Sequence, residues 1–328
     1  MNPPKHRFDG ILTSWAQGQE RTIHWPLSAD PVPIEKEIQL LMSGNLVRRG
    51  EFGPLGGSRA LEVELESEEL GLTFQQSLSI RKQLLTSKLL KDGTSKLKNE
   101  QTRIKIVREF EKKQRPILEL SQQYDLPPVT IFRAIMAPRV LHAFPQFSCL
   151  DRNKPSRRIL QSIINEVNHE QVNNFLSEWE LNELQIAKEN DVVGYHGNST
   201  DTAQEWEKSI YDYLDEQGIK YITEENMKLY GYAENGTPDC LLVDDLFING
   251  KRVRWIECKS FYASGLRENS YFTKKAVSRQ VDRYEKVFGK CGAVILKNGF
   301  SANICRRHPS TLFLDSGPLL RPENAFSL

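Results

Sequence analysis

The sequence predicts an α/β protein with a helical N-terminal half and a β-sheet in its C-terminal half. Apolar runs on both sides of Asn249-Gly250 predict a hairpin, because both turn residues tolerate positive φ. The uninterrupted apolar run at 292–296 predicts a further buried strand, and residues 219–222 begin an earlier one. Upstream of residue 150, helical signals dominate instead. Together these three observations indicate a sheet flanked by helices.

The helical and sheet-forming signals divide the chain into three predicted segments. Residues 1–35 hold several prolines and little periodicity, so we expect them to be mostly irregular. Residues 36–150 are predicted to form a helical region. Residues 151–328 are predicted to form the α/β domain, and a chain of 328 residues is long enough for two sizeable cores.

Composition excludes several classes of protein. Charged residues make up 27% of the chain and hydrophobic ones 39%, which is typical of a soluble globular protein. The net charge is +1, so affinity for nucleic acid must come from local patches. The apolar runs are too short to cross a bilayer, and the N-terminus has no signal-peptide core. The five cysteines form no C-x-x-C pair. We therefore predict an intracellular protein, nuclear or cytoplasmic, with reduced thiols and no zinc site.

The helical region contains two candidate helix pairs. Residues 62–70 and 73–85 predict helices separated by Gly71, as a plain helical hairpin or a helix-turn-helix. Residues 116–133 predict a second helix-turn-helix, because proline at a first helical position needs no amide partner. The second helix of this unit carries Thr130 and Arg133, which contact a groove or phosphates if the unit binds nucleic acid. Packing against neighbouring helices is the alternative.

Residues 81–115 are strongly basic. Twelve lysines and arginines stand in this stretch against four acidic residues. Such runs are often only solvated helix faces. If the neighbouring domain acts on nucleic acid, they predict a surface that contacts the phosphate backbone. The residues we assign to that surface are Lys96, Lys98, Arg103 and Lys105.

Three charged residues stand at the ends of the predicted hairpin. Asp239 follows Pro238 ahead of the first strand, and Glu257 and Lys259 end the second strand. Charges in a buried hairpin cost free energy unless they pair, hold a metal or take part in chemistry. An isolated Glu-x-Lys is most often a salt-bridged strand end. A preceding Pro-Asp makes a functional site the better hypothesis.

The register of the hairpin decides whether these charges meet. A two-residue loop, Asn249-Gly250, places Asp239 on the sheet face opposite Glu257. A three-residue loop that also includes Ile248 places Asp239 directly across from Lys259, with Glu257 on the same face. Only the second register assembles the charges. We therefore predict the three-residue loop, with Gly250 in the left-handed region.

These motifs resemble a known family. The run Thr237-Pro238-Asp239, followed by Trp255-Ile256-Glu257 and Lys259, resembles the TPD-domain family of codanin-interacting nucleases, within the PD-(D/E)XK nuclease superfamily. The similarity extends from Thr102 to near residue 315. It implies a restriction-endonuclease-like core, in which a mixed sheet is flanked by helices, and a nuclease domain at 151–328. It also implies a codanin-like protein as a partner.

The resemblance implies roles for further residues. A helix glutamate is an additional metal ligand in the superfamily, and Glu207 matches the phase of its helix better than Glu205. Thr202–Glu205 fits a capping box, and both glutamates also suit the dipole of a helix N-terminus. Gln280 and Tyr284 are four residues apart and resemble the Q-x-x-x-Y motif of RecB-like nucleases.

The residues and the resemblance together predict the chemistry. Asp239, Glu257 and the Cys258 carbonyl, with Glu207, are the predicted ligands of Mg²⁺, for which Mn²⁺ can substitute. Lys259 is predicted to position the attacking water or stabilise developing charge, and Gln280 and Tyr284 to orient Lys259 or the substrate. We predict a nuclease that acts on DNA in preference to RNA. The alternatives are an RNA-processing nuclease and a protein-interaction module on a nuclease fold.

Overall fold

The computed structural model describes residues 18–143, 176–194, 199–229, 236–267 and 274–319. Six strands of these residues form one mixed sheet in the order β1-β3-β4-β5-β6, and β2 also pairs with β3. β3 pairs in parallel with β1 and antiparallel with β2 and β4, whereas β4, β5 and β6 are parallel. The strands are β1 Glu20–Ile23, β2 Tyr221–Thr223, β3 Cys240–Ile248, β4 Lys251–Lys259, β5 Gly292–Leu296 and β6 Leu312–Leu314.

The helices of the described residues lie before, between and after these strands. None of them is long and apolar enough to span a membrane. Short π-helical turns occupy Leu89–Gly93 and Lys274–Ser278, and a 3₁₀ turn occupies Gly317–Leu319. The α-helices are α1 Ile34–Met42, α2 Gly57–Glu69, α3 Phe74–Lys88, α4 Thr94–Lys98, α5 Glu100–Lys113, α6 Ile117–Tyr124, α7 Pro128–Ala143, α8 Glu178–Glu189, α9 Ser199–Glu216, α10 Glu224–Leu229, α11 Arg279–Phe288 and α12 Ala302–Arg307.

The predicted fold class is confirmed, since a helical N-terminal region precedes a mixed sheet with flanking helices. Gly71 separates α2 from α3, and Thr73 Oγ1 accepts a hydrogen bond from the Gln76 amide at 3.2 Å, as an N-cap does. The capping box at Thr202–Glu205 was wrong, because α9 already begins at Ser199. Strand β1 was not anticipated within the segment expected to be irregular.

The chain forms two compact units. The sheet unit comprises the described parts of Met1–Ser43, Glu66–Ile80 and Ser199–Leu328, and the helical unit those of Gly44–Leu65 and Arg81–Asn198. The helical unit has its own core, in which Phe110 packs edge-on against Phe132 and tilted against Trp179. Its α6 and α7 form the helix pair predicted at 116–133. The boundaries at residues 35 and 150 between the three segments expected from the sequence stay predictions.

Both faces of the sheet are buried. On one face, Ile210 and Leu214 of α9 pack against Leu242 and Ile295. The other face has a separate core, which contains Leu241, Trp255 and Val294 of the sheet and Tyr284 of α11. Strands covered on both sides read as near-continuous apolar runs, which explains the lack of alternation in β3 and β5. The sheet is therefore a rigid base for side chains at its strand ends.

The predicted hairpin register was wrong. Ile248 pairs with Lys251, so the loop is only Asn249-Gly250, with φ of 50° and 75°. Two positive φ values fit the right-handed twist of the strands, which favours this turn over the longer one. The register then shifts within β3, because Leu246 pairs with Val253 but Leu241 pairs with Trp255. The shift is by three residues, and an odd shift exchanges the two faces of the strand.

This irregularity restores the arrangement that the short loop alone would have broken. Cys240 pairs with Ile256, and extending that register by one residue sets Asp239 opposite Glu257, not Lys259 as predicted. Directly opposed residues share a face of the sheet. Buried Asp244 stabilises the irregular segment, since its Oδ2 accepts the Lys220 amide at 2.9 Å. The register shift within β3, and not the length of the loop, therefore places the acidic pair, Asp239 and Glu257, on one face of the sheet.

Candidate active site

A hydrogen bond joins the two halves of the charged motif. The Cys258 amide donates to Asp239 Oδ2 over 2.6 Å. Asp239 directly precedes β3, and Cys258 lies near the end of β4. A charged acceptor makes such a bond stronger than a neutral one. The Asp239 carboxylate is therefore oriented by the backbone of the strand that carries Glu257 and Lys259.

Glu257 and Lys259 form an ion pair on the same face of β4. Lys259 Nζ contacts Glu257 Oε1, and both side chains are largely buried, with exposed fractions of 16% and 5%. Glu257 Oε2 is buried and has no hydrogen-bond partner within the described residues. A buried carboxylate oxygen that accepts no hydrogen bond destabilises the folded protein. The Tyr284 hydroxyl lies close enough to Glu257 to oppose the rise that burial causes in the pKa of this carboxyl, but it donates to the Thr237 carbonyl oxygen, so Oε2 is open to a ligand.

Electrostatics at the site reflect burial and crowding of like charges. Burial, followed by the charge of Glu257, raises the pKa of Asp239 well above its usual value. Burial also raises the pKa of Glu257, although Lys259 opposes this change. Burial works to lower the pKa of Lys259, but Glu257 and Asp239 outweigh it and the pKa is raised. Ionising both Asp239 and Glu257 costs free energy in this buried site. A bound cation would offset that cost, so the site favours a cation.

Thr237 is held between two helices. Its hydroxyl donates to Glu224 Oε1 at 2.9 Å, and its carbonyl oxygen accepts from the Tyr284 hydroxyl at 2.8 Å. Glu224 begins α10, and its amide donates to the Asp239 carbonyl oxygen at 3.1 Å. Burial and the charge of Glu257 raise the pKa of Tyr284, so this hydroxyl keeps its proton. These contacts fix the backbone of Thr237-Pro238-Asp239.

Glu207 reaches the site through Tyr211. The Tyr211 hydroxyl contacts Glu207 Oε1 and also lies 3.1 Å from the Asp239 carbonyl oxygen. The charge of Glu207 contributes to the raised pKa of Asp239, after burial and Glu257. Glu205, two residues earlier on α9, is exposed. Of the two glutamates, the structure therefore brings Glu207 to Asp239, with its carboxylate engaged by a hydroxyl.

Helix α11 carries both residues of the Q-x-x-x-Y motif. Gln280 lies one turn before Tyr284, on the same side of the helix. Its Oε1 is buried and lacks a hydrogen-bond partner within the described residues. Tyr284 packs edge-on against Trp255 at 5.3 Å between ring centres. The motif thus lies over the sheet face that bears Glu257.

The segment that follows Lys259 is anchored by a buried carboxylate from α1. Glu37 is fully buried and accepts hydrogen bonds from Tyr262 Oη at 3.0 Å, Ser264 Oγ at 2.5 Å and the Gly265 amide at 3.0 Å. Burial raises the pKa of Glu37 although these donors oppose it. The Lys259 carbonyl oxygen also accepts from the Lys297 amide at 2.8 Å. The exit of β4 is therefore fixed on two sides.

The donor set suits a hard cation that keeps several waters. Mg²⁺ in proteins is commonly bound by one or two carboxylates and water. Asp239 and Glu257 supply two such groups, and the partnerless Glu257 Oε2 is one oxygen open to it. Within the residues that the structure describes, no three His, Cys, Asp or Glu side chains converge, so Glu207 would join Asp239 and Glu257 as a ligand only if its side chain moves. The Cys258 side chain belongs to the apolar core on the other face, so only its backbone is a candidate ligand.

The predicted nucleic-acid contacts lie in the helical unit and differ in availability. Lys98, Arg103 and Lys105 are exposed. Lys96 is half-buried, and its ammonium donates to the Tyr124 carbonyl oxygen at 3.0 Å. Part of the basic run is likewise internal. Arg81 is buried and donates to the Glu51 and Gly53 carbonyl oxygens, and Lys88 pairs with Asp125 at 2.7 Å.

Thr130 and Arg133 lie in the first two turns of α7. Asp191 occupies the N-terminus of this helix, where its Oδ2 accepts the Val129 amide at 3.0 Å. Burial raises the pKa of Asp191, and the Arg133 charge acts in the opposite direction. Arg133 therefore already has a carboxylate nearby. Both residues are half-buried, and their contact with nucleic acid stays a prediction.

Sequence reasoning missed three residues of the site. Thr237 was noted only as part of a motif, and Tyr211 was assigned no role. Glu224 was not considered. A signal existed for Glu224, since it stands at the start of α10, where an acidic residue suits the helix dipole. Its contact with Thr237 needs tertiary structure, and no local pattern predicts it.

The comparisons with known proteins fall on the same residues. Residues 162–316 match the family described as "Protein of unknown function TPD sequence-motif", an interval that contains Asp239, Glu257 and Lys259. "CDAN1-interacting nuclease 1" of Danio rerio is 27% identical over 216 residues, which are 62% of this chain and 62% of that protein. The protein of the same name in Xenopus tropicalis is 26% identical over 207 residues, covering 62% of this chain and 61% of the relative. The chain thus spans less than two thirds of these relatives. No solved structure matches it significantly.

Proposed function

We propose that this chain, whose residues 162–316 belong to the TPD sequence-motif family, is a divalent-metal-dependent nuclease that hydrolyses phosphodiester bonds of DNA. The observation that carries the proposal is the cluster of Asp239, Glu257 and Lys259 on one sheet face. A scaffold has no physical need for two desolvated carboxylates, one of which, Glu257, raises the pKa of the other, Asp239. The names of the relatives, which specify a nuclease, support the same reaction class.

Asp239 and Glu257 would hold the cation, with the Cys258 carbonyl and Glu207 as further candidate ligands. Mg²⁺ is the expected ion, and Mn²⁺ can substitute because it accepts the same oxygen donors. When bound, the ion would lower the pKa of a coordinated water and polarise the scissile phosphate. Neutralisation of the two carboxylates by a cation also removes the repulsion that raises the pKa of Asp239.

The protein groups carry out the remaining work. Lys259 is protonated, and its ammonium stabilises negative charge that develops on the phosphate oxygens. Its present partner, Glu257, keeps it on the correct face until substrate arrives. Tyr284 and Glu224 hold Thr237 and therefore set the position of Asp239. Gln280 offers a buried amide oxygen toward the same region and orients Lys259 or the substrate.

The helical unit is proposed to supply affinity. Exposed Lys98, Arg103 and Lys105 suit contacts with the phosphate backbone, which make binding dependent on salt. The α6–α7 helix pair favours duplex DNA, because a second helix of this kind fits a major groove and not the narrow groove of duplex RNA.

The test is a cleavage panel with purified full-length chain. Labelled single-stranded, duplex, flap and junction DNA, with matched RNA, are incubated with Mg²⁺ or with a chelator. We expect Mg²⁺-dependent cleavage of at least one DNA substrate and none by Lys259→Ala. Cleavage of RNA alone would replace the DNA assignment with the RNA-processing alternative. Cleavage that survives Lys259→Ala would remove this site from the reaction.

A second candidate function is a protein-interaction module. The relatives are named for an interaction with CDAN1, and a codanin-like protein is accordingly a proposed partner. In the helical unit, Leu61 and Leu65 are 54% and 52% exposed and lie one turn apart on α2. A pull-down of a codanin-like protein by wild type and by the double variant Leu61→Ser/Leu65→Ser tests this surface. Loss of partner binding with unchanged cleavage would show that the two functions are separate.

A further inference from the structure

Helix α11 separates its charged residues between two sides. Glu285 Oε1 accepts hydrogen bonds from Ser310 Oγ at 2.5 Å and from Thr311 Oγ1 at 3.0 Å. Asp282 lies 3.9 Å from the ring of His308. Both carboxylates are thus turned toward the segment that follows α12. Glu285 is occupied by these two hydroxyls, whereas Asp282 is largely exposed.

The arginines of the same helix face elsewhere. Arg279 and Arg283 are exposed and four residues apart, so they lie along one side of the helix. Within the described residues, no carboxylate lies at ion-pair distance from either guanidinium. Like charges at this spacing destabilise a helix.

The Arg283 side chain lies in a defined position beside the active site. Gly236 has a φ of 73°, and a Cβ atom built on it would lie 2.5 Å from Arg283 Nη1 and 2.8 Å from its Cδ. The side chain therefore extends across the bare backbone of Gly236, which directly precedes Thr237. Burial dominates the raised pKa of Tyr284, and the Arg283 charge acts against it. The guanidinium is thus within electrostatic reach of the hydroxyl that holds Thr237.

We propose that Arg283 contacts a phosphate group of the nucleic acid next to the one that is cleaved, with Arg279 continuing the same basic strip. This inference rests on the proposed nuclease function. A guanidinium presents a planar fork of donors that matches two phosphate oxygens. Arg283 lies one residue before Tyr284 and beside the backbone that leads to Asp239. It therefore determines where the substrate backbone runs past the acidic pair.

The test measures DNA binding without turnover. Full-length Asp239→Asn protein serves as the parent, and Arg283→Gln and Arg283→Lys are added to it. Lys290→Gln is the matched control, because Lys290 is exposed and precedes β5 at its N-terminal end. That end lies about 13 Å along the strand from the end that is paired with Lys259, at 3.3 Å per residue. Binding of labelled duplex and single-stranded DNA is titrated over a range of salt concentrations.

We expect Arg283→Gln to weaken binding on the order of tenfold at low salt and to lower the slope of log K against log salt by about 0.7 to 0.9. Arg283→Lys should keep the slope and lose part of the affinity, since it keeps the charge but not the fork. Lys290→Gln should match the parent, and melting temperatures should agree across the set.

Two outcomes would overturn the inference. If the parent binds DNA and wild type cleaves it, but Arg283→Gln keeps the parental slope, Arg283 makes no phosphate contact and the nuclease function stands. If Arg283→Gln and Lys290→Gln lower the slope equally, the effect is only one of overall charge. A wild-type chain that neither binds nor cleaves DNA would overturn the proposed function as well.

Discussion

The Cys258 amide and the Asp239 carboxylate are joined by a hydrogen bond of 2.6 Å, which links residues nineteen positions apart. This bond holds the Asp239 carboxyl in position beside Glu257, although burial and the charge of Glu257 oppose ionisation of Asp239. The backbone donor favours the charged form and offsets part of that opposition. The site therefore holds electrostatic repulsion that a cation would relieve.

That repulsion predicts a pH-dependent gain in stability for Asp239→Asn in metal-free buffer. The folded pKa of Asp239 is raised, so the folded state binds its proton more tightly than the unfolded state does. Stability from this group is present below the unfolded pKa and is lost as pH rises through the folded pKa. Each pKa unit by which the folded and unfolded states differ corresponds to about 1.4 kcal/mol of unfolding free energy. The variant should therefore exceed wild type in unfolding free energy near neutral pH and converge with it in acid.

The measurement is denaturant unfolding in chelator at several pH values. Glu205→Gln is the control, since Glu205 is an exposed acid on α9. Its stability should follow that of wild type across the range. If Asp239→Asn is less stable than wild type near neutral pH, the Asp239 charge is well compensated in the free protein.

Tyr284→Phe should impair cleavage more than its stability loss explains. The buried Thr237 carbonyl loses its donor, at a cost of roughly 1–3 kcal/mol, and Asp239 loses its fixed backbone. Tyr213→Phe is the matched control, because Tyr213 packs edge-on against Trp25 on the other sheet face. Cleavage rate and unfolding free energy are measured for both. Wild-type cleavage by Tyr284→Phe would show that this contact does not position the site.

Metal binding should separate the ligands from the other site residues. Lys259→Ala should titrate with Mg²⁺ like wild type although it is inactive, because an ammonium is no ligand. Glu207→Gln should weaken Mg²⁺ binding, and Glu205→Gln should not. Calorimetric titration of the three variants checks this order. Equal affinities for Glu207→Gln and Glu205→Gln would remove Glu207 from the metal shell.

The basic surface of the helical unit should set the salt dependence of DNA binding. Joint replacement of Lys98, Arg103 and Lys105 by glutamine should lower the slope by up to about 0.9 for each phosphate that the variant no longer neutralises. Lys96→Gln should instead reduce stability, since its ammonium is bound to the Tyr124 carbonyl oxygen. An unchanged slope for the triple variant would identify the run as a solvated face.

The sequence allowed the fold class and the family resemblance to be predicted, because strand runs, helix signals and the charged motif are local patterns. The register was not predictable in this way. Asn249-Gly250 correctly indicated a hairpin, but the predicted three-residue loop was wrong, and the shift between Leu241 and Leu246 depends on tertiary contacts such as that of Asp244. A wrong loop therefore led to the correct shared face for Asp239 and Glu257.

Contacts from distant parts of the chain were equally invisible. β1 pairs with β3, and Glu37 of α1 anchors the segment after Lys259. Neither has a signature in the residues around the motif. A fragment that begins near residue 150 would lack both, so we expect the sheet unit to need its N-terminal part for stability.

The most direct test of the central claim is the Mg²⁺-dependent cleavage rate of wild type, Asp239→Asn and Glu205→Gln on one DNA substrate. All three proteins are first shown to be folded by circular dichroism. We predict that Asp239→Asn loses cleavage by at least about a thousandfold, the scale expected when a catalytic group acts as part of a unit. Glu205→Gln should keep the wild-type rate. Cleavage by Asp239→Asn at the wild-type rate would contradict the assignment of this acidic pair as the catalytic centre.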